Sequence, residues 1–76
     1  MRERIKNLLE NALPLVDVES DFLFSELDSL GVTSILMILS EEYGISLDAH
    51  DATPRNLKNL DNIVDMVERK LSERGV

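Results

Sequence analysis

The chain contains no cysteine, which removes disulfides, thiolate zinc sites and cysteine nucleophiles together and fits a reducing compartment. It contains one histidine, His50, so a multi-histidine metal site is excluded and a lone imidazole base is the most that residue can offer. Positive charge is missing from the middle. No Lys or Arg stands between Lys6 and Arg55, whereas Glu10, Asp17, Glu19, Asp21, Glu26, Asp28, Glu41, Glu42, Asp48 and Asp51 all do. With 8 basic and 15 acidic residues the net charge is −7, and a nucleic-acid phosphate backbone is a poor partner for such a chain. Long apolar runs are missing as well. The largest block, Ile35 to Leu39, is far short of a membrane span, and the opening Met-Arg-Glu-Arg-Ile-Lys lacks the apolar stretch of a signal peptide. No internal repeat or low-complexity tract divides the 76 residues. The expectation is a single domain over residues 1–76, cytoplasmic and monomeric, with no membrane span.

What is present is enough to fold. Apolar residues make up 43% of the chain, so the acidity belongs to a folded surface and not to a disordered tail. Such a surface steers basic partners towards itself, with an attraction that weakens in salt. Ile5, Leu8, Leu9 and Ala12 recur at helical spacing before Pro14, which predicts a helix over residues 2–12. Residues 13–27 have no sustained period and read as a long loop that dips Phe22, Phe24 or both into the core. Asp28 stands at the N-cap of a second helix, 29–43, which Gly44 ends. Its apolar residues surround the cylinder, so it is either the central helix or one with a docking face. Thr53-Pro54 predicts a short helix near 54–58. Leu60, Ile63, Val64, Val67 and Leu71 form the stripe of a last helix, with Arg69, Lys70 and Arg74 where its dipole favours cations. The predicted fold is all-α, a small bundle of three main helices plus one short helix.

The stretch that carries information about function is Leu27-Asp28-Ser29-Leu30-Gly31, followed by the apolar helix that closes on Glu41-Glu42-Tyr43-Gly44. Asp28-Ser29-Leu30 with Met37, Leu39, Glu41, Glu42 and Tyr43 in register after the serine resembles the acyl carrier protein family, in architecture over the whole chain and in motif over residues 27–45. The resemblance implies an acyl-carrier-like four-helix bundle that is no enzyme. It implies that a phosphopantetheinyl transferase attaches 4'-phosphopantetheine to Ser29, and that the thiol of that arm carries an acyl or aminoacyl group as a thioester. Asp28 and Leu30 would then flank the attachment site. Met37, Ile38, Glu41 and Glu42 would meet acyl-transferring or acyl-activating enzymes with basic docking surfaces. A serine at a helix N-terminus also suits a phosphodiester, because unsatisfied N–H groups and the positive dipole end face it.

Ser34 competes for the same role, since Leu30-Gly31-Val32-Thr33-Ser34-Ile35 has the look of the Leu-Gly-x-Asp-Ser-Leu form found in many carriers. Choosing it shortens the helix by five residues before Glu41 and puts Thr33 where the family has Asp, so Ser29 is preferred. Gly31 and Ser34 occupy positions that are typically acidic in fatty-acid carriers. The Leu-Asp-Ser-Leu-Gly form bears some resemblance to D-alanyl carrier proteins and stand-alone carriers of specialised pathways, which implies a specialised carrier whose cargo the sequence does not name. The alternative reading is a non-catalytic acidic helical interaction module in which Ser29 is only a helix-start residue and Met37 and Ile38 are core. Tyr43 and His50 read as a core aromatic and a loop residue.

Overall fold

The computed structural model describes residues 1–74, with the side chain of Arg74 outside the described set. Three α-helices occur in chain order: α1, Arg2–Ala12; α2, Ser29–Tyr43; and α3, Leu60–Arg74. Each packs on the other two. Two short 3-10 turns, Leu23–Glu26 and Ala49–Asp51, punctuate the connections, and there is no strand among the described residues. The fold is therefore all-α, as the periodicities predict.

The core is built from one stripe per helix. Ile5 and Leu9 of α1, Ile35 and Leu39 of α2, and Leu60, Ile63, Met66 and Val67 of α3 are buried. Burial of each large side chain contributes about 1.5–3 kcal/mol. Both connections add to this core: Val18 and Leu23 from the first, Ile45 and Leu57 from the second. Among the described residues no polar or charged one is buried with them.

One expectation is narrowed and one is corrected. Of the two phenylalanines expected to dip inward from the long loop, Phe24 packs against the core partly buried and Phe22 is 70% exposed, while Val18 and Leu23 are the residues the loop buries most deeply. The 3-10 turn turns the side chain of Leu23 inward, and its N–H donates to the Lys58 carbonyl at 2.8 Å, stapling the two connections together.

The correction is the short helix near 54–58, which is not formed, so the described residues make a three-helix bundle and not a four-helix one. The predicted start is present: Thr53 Oγ1 accepts from the Asn56 N–H at 3.0 Å, and the Leu57 N–H donates to the Thr53 carbonyl at 3.1 Å. It does not propagate because competing groups take the next carbonyls. Asn62 Nδ2 and the Lys58 N–H both donate to the Arg55 carbonyl, and Leu23 occupies that of Lys58. Asn59 then caps α3, its side chain accepting from the Asn62 N–H at 2.9 Å. Five residues of helix cannot outweigh such local competition.

Candidate functional site

The start of α2 is set by Asp28. Its backbone is extended, its Oδ1 accepts from the Gly31 N–H at 2.7 Å, and its carbonyl accepts from the Val32 N–H at 3.0 Å. This is an N-cap: the carbonyl takes the first regular helical bond, and the carboxylate satisfies one of the four N–H groups that a helix start leaves open. The N–H groups of Ser29 and Leu30 keep no acceptor among the described residues. Ser29 is the first helical residue and is exposed. An exposed hydroxyl beside two open N–H groups and the positive end of a 15-residue helix is a donor set that fits an attached phosphate.

Gly31 explains one departure from the acidic pattern of fatty-acid carriers. It is buried, and a Cβ built on it stands 3.3 Å from Asp28 Oδ1, 3.5 Å from Leu27 and 3.7 Å from Leu13. A carboxylate at this position would be driven into the capping carboxylate. Ser34, the competing serine, sits in the second turn of α2, half-buried, along a cleft of about 300 Å³ shared with Leu13, Leu15, Leu27 and Leu30. No open N–H group is near it in the helix, because each amide there is already donated within the turn.

Further along α2, Leu30, Thr33, Met37 and Glu41 follow helical spacing and form one exposed face, with Leu30 75% and Met37 59% accessible. α2 packs on α1 and α3 as each helix does on the other two, so it is not a central helix, and Leu30 and Met37 leave apolar surface of it in solvent. Beside that surface runs a second cleft, about 430 Å³, between Leu36, Met37 and Ser40 and the segment Ile45 to Leu47. Ser40 fixes this wall, since its Oγ accepts from the Leu47 N–H at 3.1 Å and its carbonyl from the Ile45 N–H. Gly44 permits the reversal, in the left-handed region at φ 62°.

The four residues expected to meet partners separate here. Met37 and Glu41 are exposed on the face just described, Ile38 is half-buried, and Glu42 is turned to α1, where it pairs with Arg4. The pairing gives Glu42 a reason to oppose the helix dipole that owes nothing to a partner. Leu30 and Thr33 complete the face, and their i, i+3, i+7, i+11 spacing with Met37 and Glu41 was the available signal for it. Tyr43 is half-buried, and burial pushes its phenol up, with Arg4 opposing and Glu42 adding to the shift. His50 is fully in solvent against Asp48. Among the described residues no group of three metal-ligating side chains comes together.

The segment opposite the second cleft is tied by a polar network. Asp48 caps the 3-10 turn Ala49–Asp51, and Asp51 Oδ2 accepts from the Asp48 N–H at 3.0 Å. Lys70 of α3 reaches Asp51 at 3.1 Å. Burial raises the Asp51 carboxyl, but the Asp48 amide and the Lys70 ammonium outweigh it and hold the group below its ordinary value of 3.8. Lys70 and Arg69, expected at the end of α3 for its dipole, are instead used on this connection: Arg69 donates to Asn56 Oδ1 at 2.8 Å. Arg74, named with them, has its side chain outside the described residues.

With this geometry in hand, known proteins supply the frame. Residues 2–69 match the family described as phosphopantetheine attachment site. A curated relative, the acyl carrier protein homolog of Mycoplasma genitalium, is 43% identical over 51 residues, which are 67% of this chain and 58% of that protein. The chain thus spans less than two thirds of the relative it matches. No solved structure matches it.

Proposed function

Since the chain belongs to the phosphopantetheine attachment family of acyl carrier proteins, whose members bear covalent 4'-phosphopantetheine and catalyse no reaction themselves, we propose that Ser29 is the attachment residue. The observation that carries this reading is the position of Ser29: exposed, first in α2, with its own N–H and that of Leu30 open beside it. When bound, the arm supplies a thiol on which an acyl group rides as a thioester.

The chain's own residues do the rest. Asp28 holds the helix start rigid with one carboxylate oxygen while remaining exposed to a transferase. Leu30 and Met37 offer apolar contact, and Glu41 offers charge, to an acyl-transferring or acyl-activating enzyme with a basic rim. Ile38 contributes only its accessible edge, and Glu42 serves mainly α1. The uncharged first turns of α2, Gly31 through Ser34, favour a specialised carrier whose enzymes read apolar surface at that end, with an acyl or aminoacyl cargo. Residues 1–76 act as one carrier domain.

The test is intact-protein mass spectrometry after incubation with coenzyme A, magnesium and a broad-specificity phosphopantetheinyl transferase. One phosphopantetheinyl mass is expected on the wild type and on Ser34→Ala, and none on Ser29→Ala. If a folded wild-type chain takes up nothing from several transferases, the acidic interaction module replaces the carrier. That module binds its partners equally well as Ser29→Ala.

A further inference from the structure

The seven basic side chains that the structure describes fall into two groups. Arg2 pairs with Asp61 and Glu19, Arg4 with Glu42, Lys6 with Glu10 and Lys70 with Asp51. Arg55, Lys58 and Arg69 have no carboxylate within ion-pair distance among the described residues. In a chain with 15 acidic residues and 8 basic ones, these three carry local positive charge that no neighbouring carboxylate offsets at ion-pair distance.

The three lie together. Arg55 and Lys58 rim a groove of about 400 Å³ whose floor and walls are Phe22, Phe24 and Pro54, an almost wholly apolar surface. Arg55 also lines an adjoining cleft of about 310 Å³ with Arg69, Asn56 and Asn62. Asp65 borders that cleft without pairing with either arginine. The walls are fixed in advance: the Leu23 N–H to Lys58 carbonyl bond joins the two connections beneath the groove, and Asn56 both orients Arg69 and donates to the Asp51 carbonyl at 2.9 Å. A preformed groove spares a ligand the cost of ordering it. Neither cleft shares a residue with the Leu30, Thr33, Met37 and Glu41 face of α2.

We propose that this aromatic, cation-rimmed groove is a second docking surface, and that its occupant is an acidic segment of a partner protein, with an apolar anchor side chain between Phe22 and Pro54 and carboxylates on Arg55, Lys58 and Arg69. Charge decides among occupants. An extended peptide meets only the local positive patch, whereas an anionic membrane or a nucleic acid meets the field of the whole molecule, which carries −7. The polarity is opposite to that of the α2 face, so the chain holds an acidic partner through the groove and leaves α2 open to basic enzymes. The inference does not rest on the modification of Ser29.

A random peptide library displayed on phage, selected on the wild-type chain and counter-selected on the double variant Arg55→Glu, Lys58→Glu, tests it. The expected enriched sequences have several Asp or Glu around one aromatic or large aliphatic residue. A synthetic peptide of the commonest sequence should shift the amide resonances of Phe22 to Ser25 and Arg55 to Lys58. Its affinity should fall about tenfold or more in the double variant and also in added salt. Phe22→Ser, which leaves the charge alone, should weaken it as well. Enriched sequences without acidic bias, shifts mapped to α2, or no enrichment would overturn the proposal. Sedimentation with phosphatidylserine vesicles that is abolished by the same double variant would overturn it in favour of a membrane. Circular dichroism melts of each variant separate lost binding from lost fold.

Discussion

Helices α2 and α3 are both 15 residues long and contribute to the same core, but they use their apolar side chains differently. In α3 the apolar residues form one stripe, and none of them is exposed: Leu60, Ile63, Met66 and Val67 are buried, Val64 and Leu71 partly so. In α2 Gly31, Ile35 and Leu39 are buried and Val32 and Tyr43 pack partly on the core, yet Leu30 and Met37 stand in solvent. Stability accounts for every apolar residue of α3. It does not account for those two of α2, which the proposed docking of a partner enzyme on that face would explain.

This contrast makes graded predictions. Ile63→Ala in α3 and Leu39→Ala in α2 should each destabilise the fold by about 2–5 kcal/mol in denaturant melts, because both side chains are fully buried. A molecule with a core this small should be largely unfolded by either. Asp28→Ala removes the cap of α2 and should cost about 1 kcal/mol, where the same change at exposed Asp65 should be within about 0.5 kcal/mol.

Asp51→Ala releases the Asp48 amide and Lys70, and should cost about 1 kcal/mol at neutral pH. Asp51 titrates below its ordinary value in the folded state, so its contribution is complete above 3.8 and is lost as pH falls through the lowered folded value. The gap between wild type and Asp51→Ala should accordingly be constant from pH 5 to 9, as an order-of-magnitude window of roughly that width, and should close in acid. The smallest stability effect belongs to Leu30→Ala and Met37→Ala, within about 0.5 kcal/mol. Their signature should be slower acyl transfer by a cognate enzyme with an unchanged melting curve. If either one destabilises the fold as Leu39→Ala does, the exposed face of α2 is structural and the contrast with α3 fails.

Much of this was legible in the residues themselves. The bounds of α1 and α2, the Asp28 cap and the Gly44 terminator follow from spacing and cap chemistry, which act within a few residues. Two features were not legible, for one physical reason. That Leu23 is buried while Phe22 is exposed, and that the helix begun at Thr53-Pro54 stops after one turn, both depend on the bond between Leu23 and Lys58, which lie far apart in the chain. The pairing of Glu42 with Arg4 is likewise a contact between helices, and a run of two glutamates at a helix end does not announce it. Met66 escaped the α3 stripe because the buried arc is wider than the five residues that mark its centre. Periodicity reads the inward face of a helix well. It does not read which outward residue finds a partner across the bundle.

Ser29 and Ser34 cannot be separated by trypsin, since no Lys or Arg stands between Lys6 and Arg55. The decisive measurement is therefore electron-transfer fragmentation of the wild-type chain after loading by a phosphopantetheinyl transferase, read residue by residue across α2. The added mass should begin at the fragment that contains Ser29 and be present in every fragment that extends from it. If the mass first appears at Ser34, the open end of α2 is not the attachment site, and the role assigned here to Asp28, Ser29 and their neighbouring N–H groups is wrong.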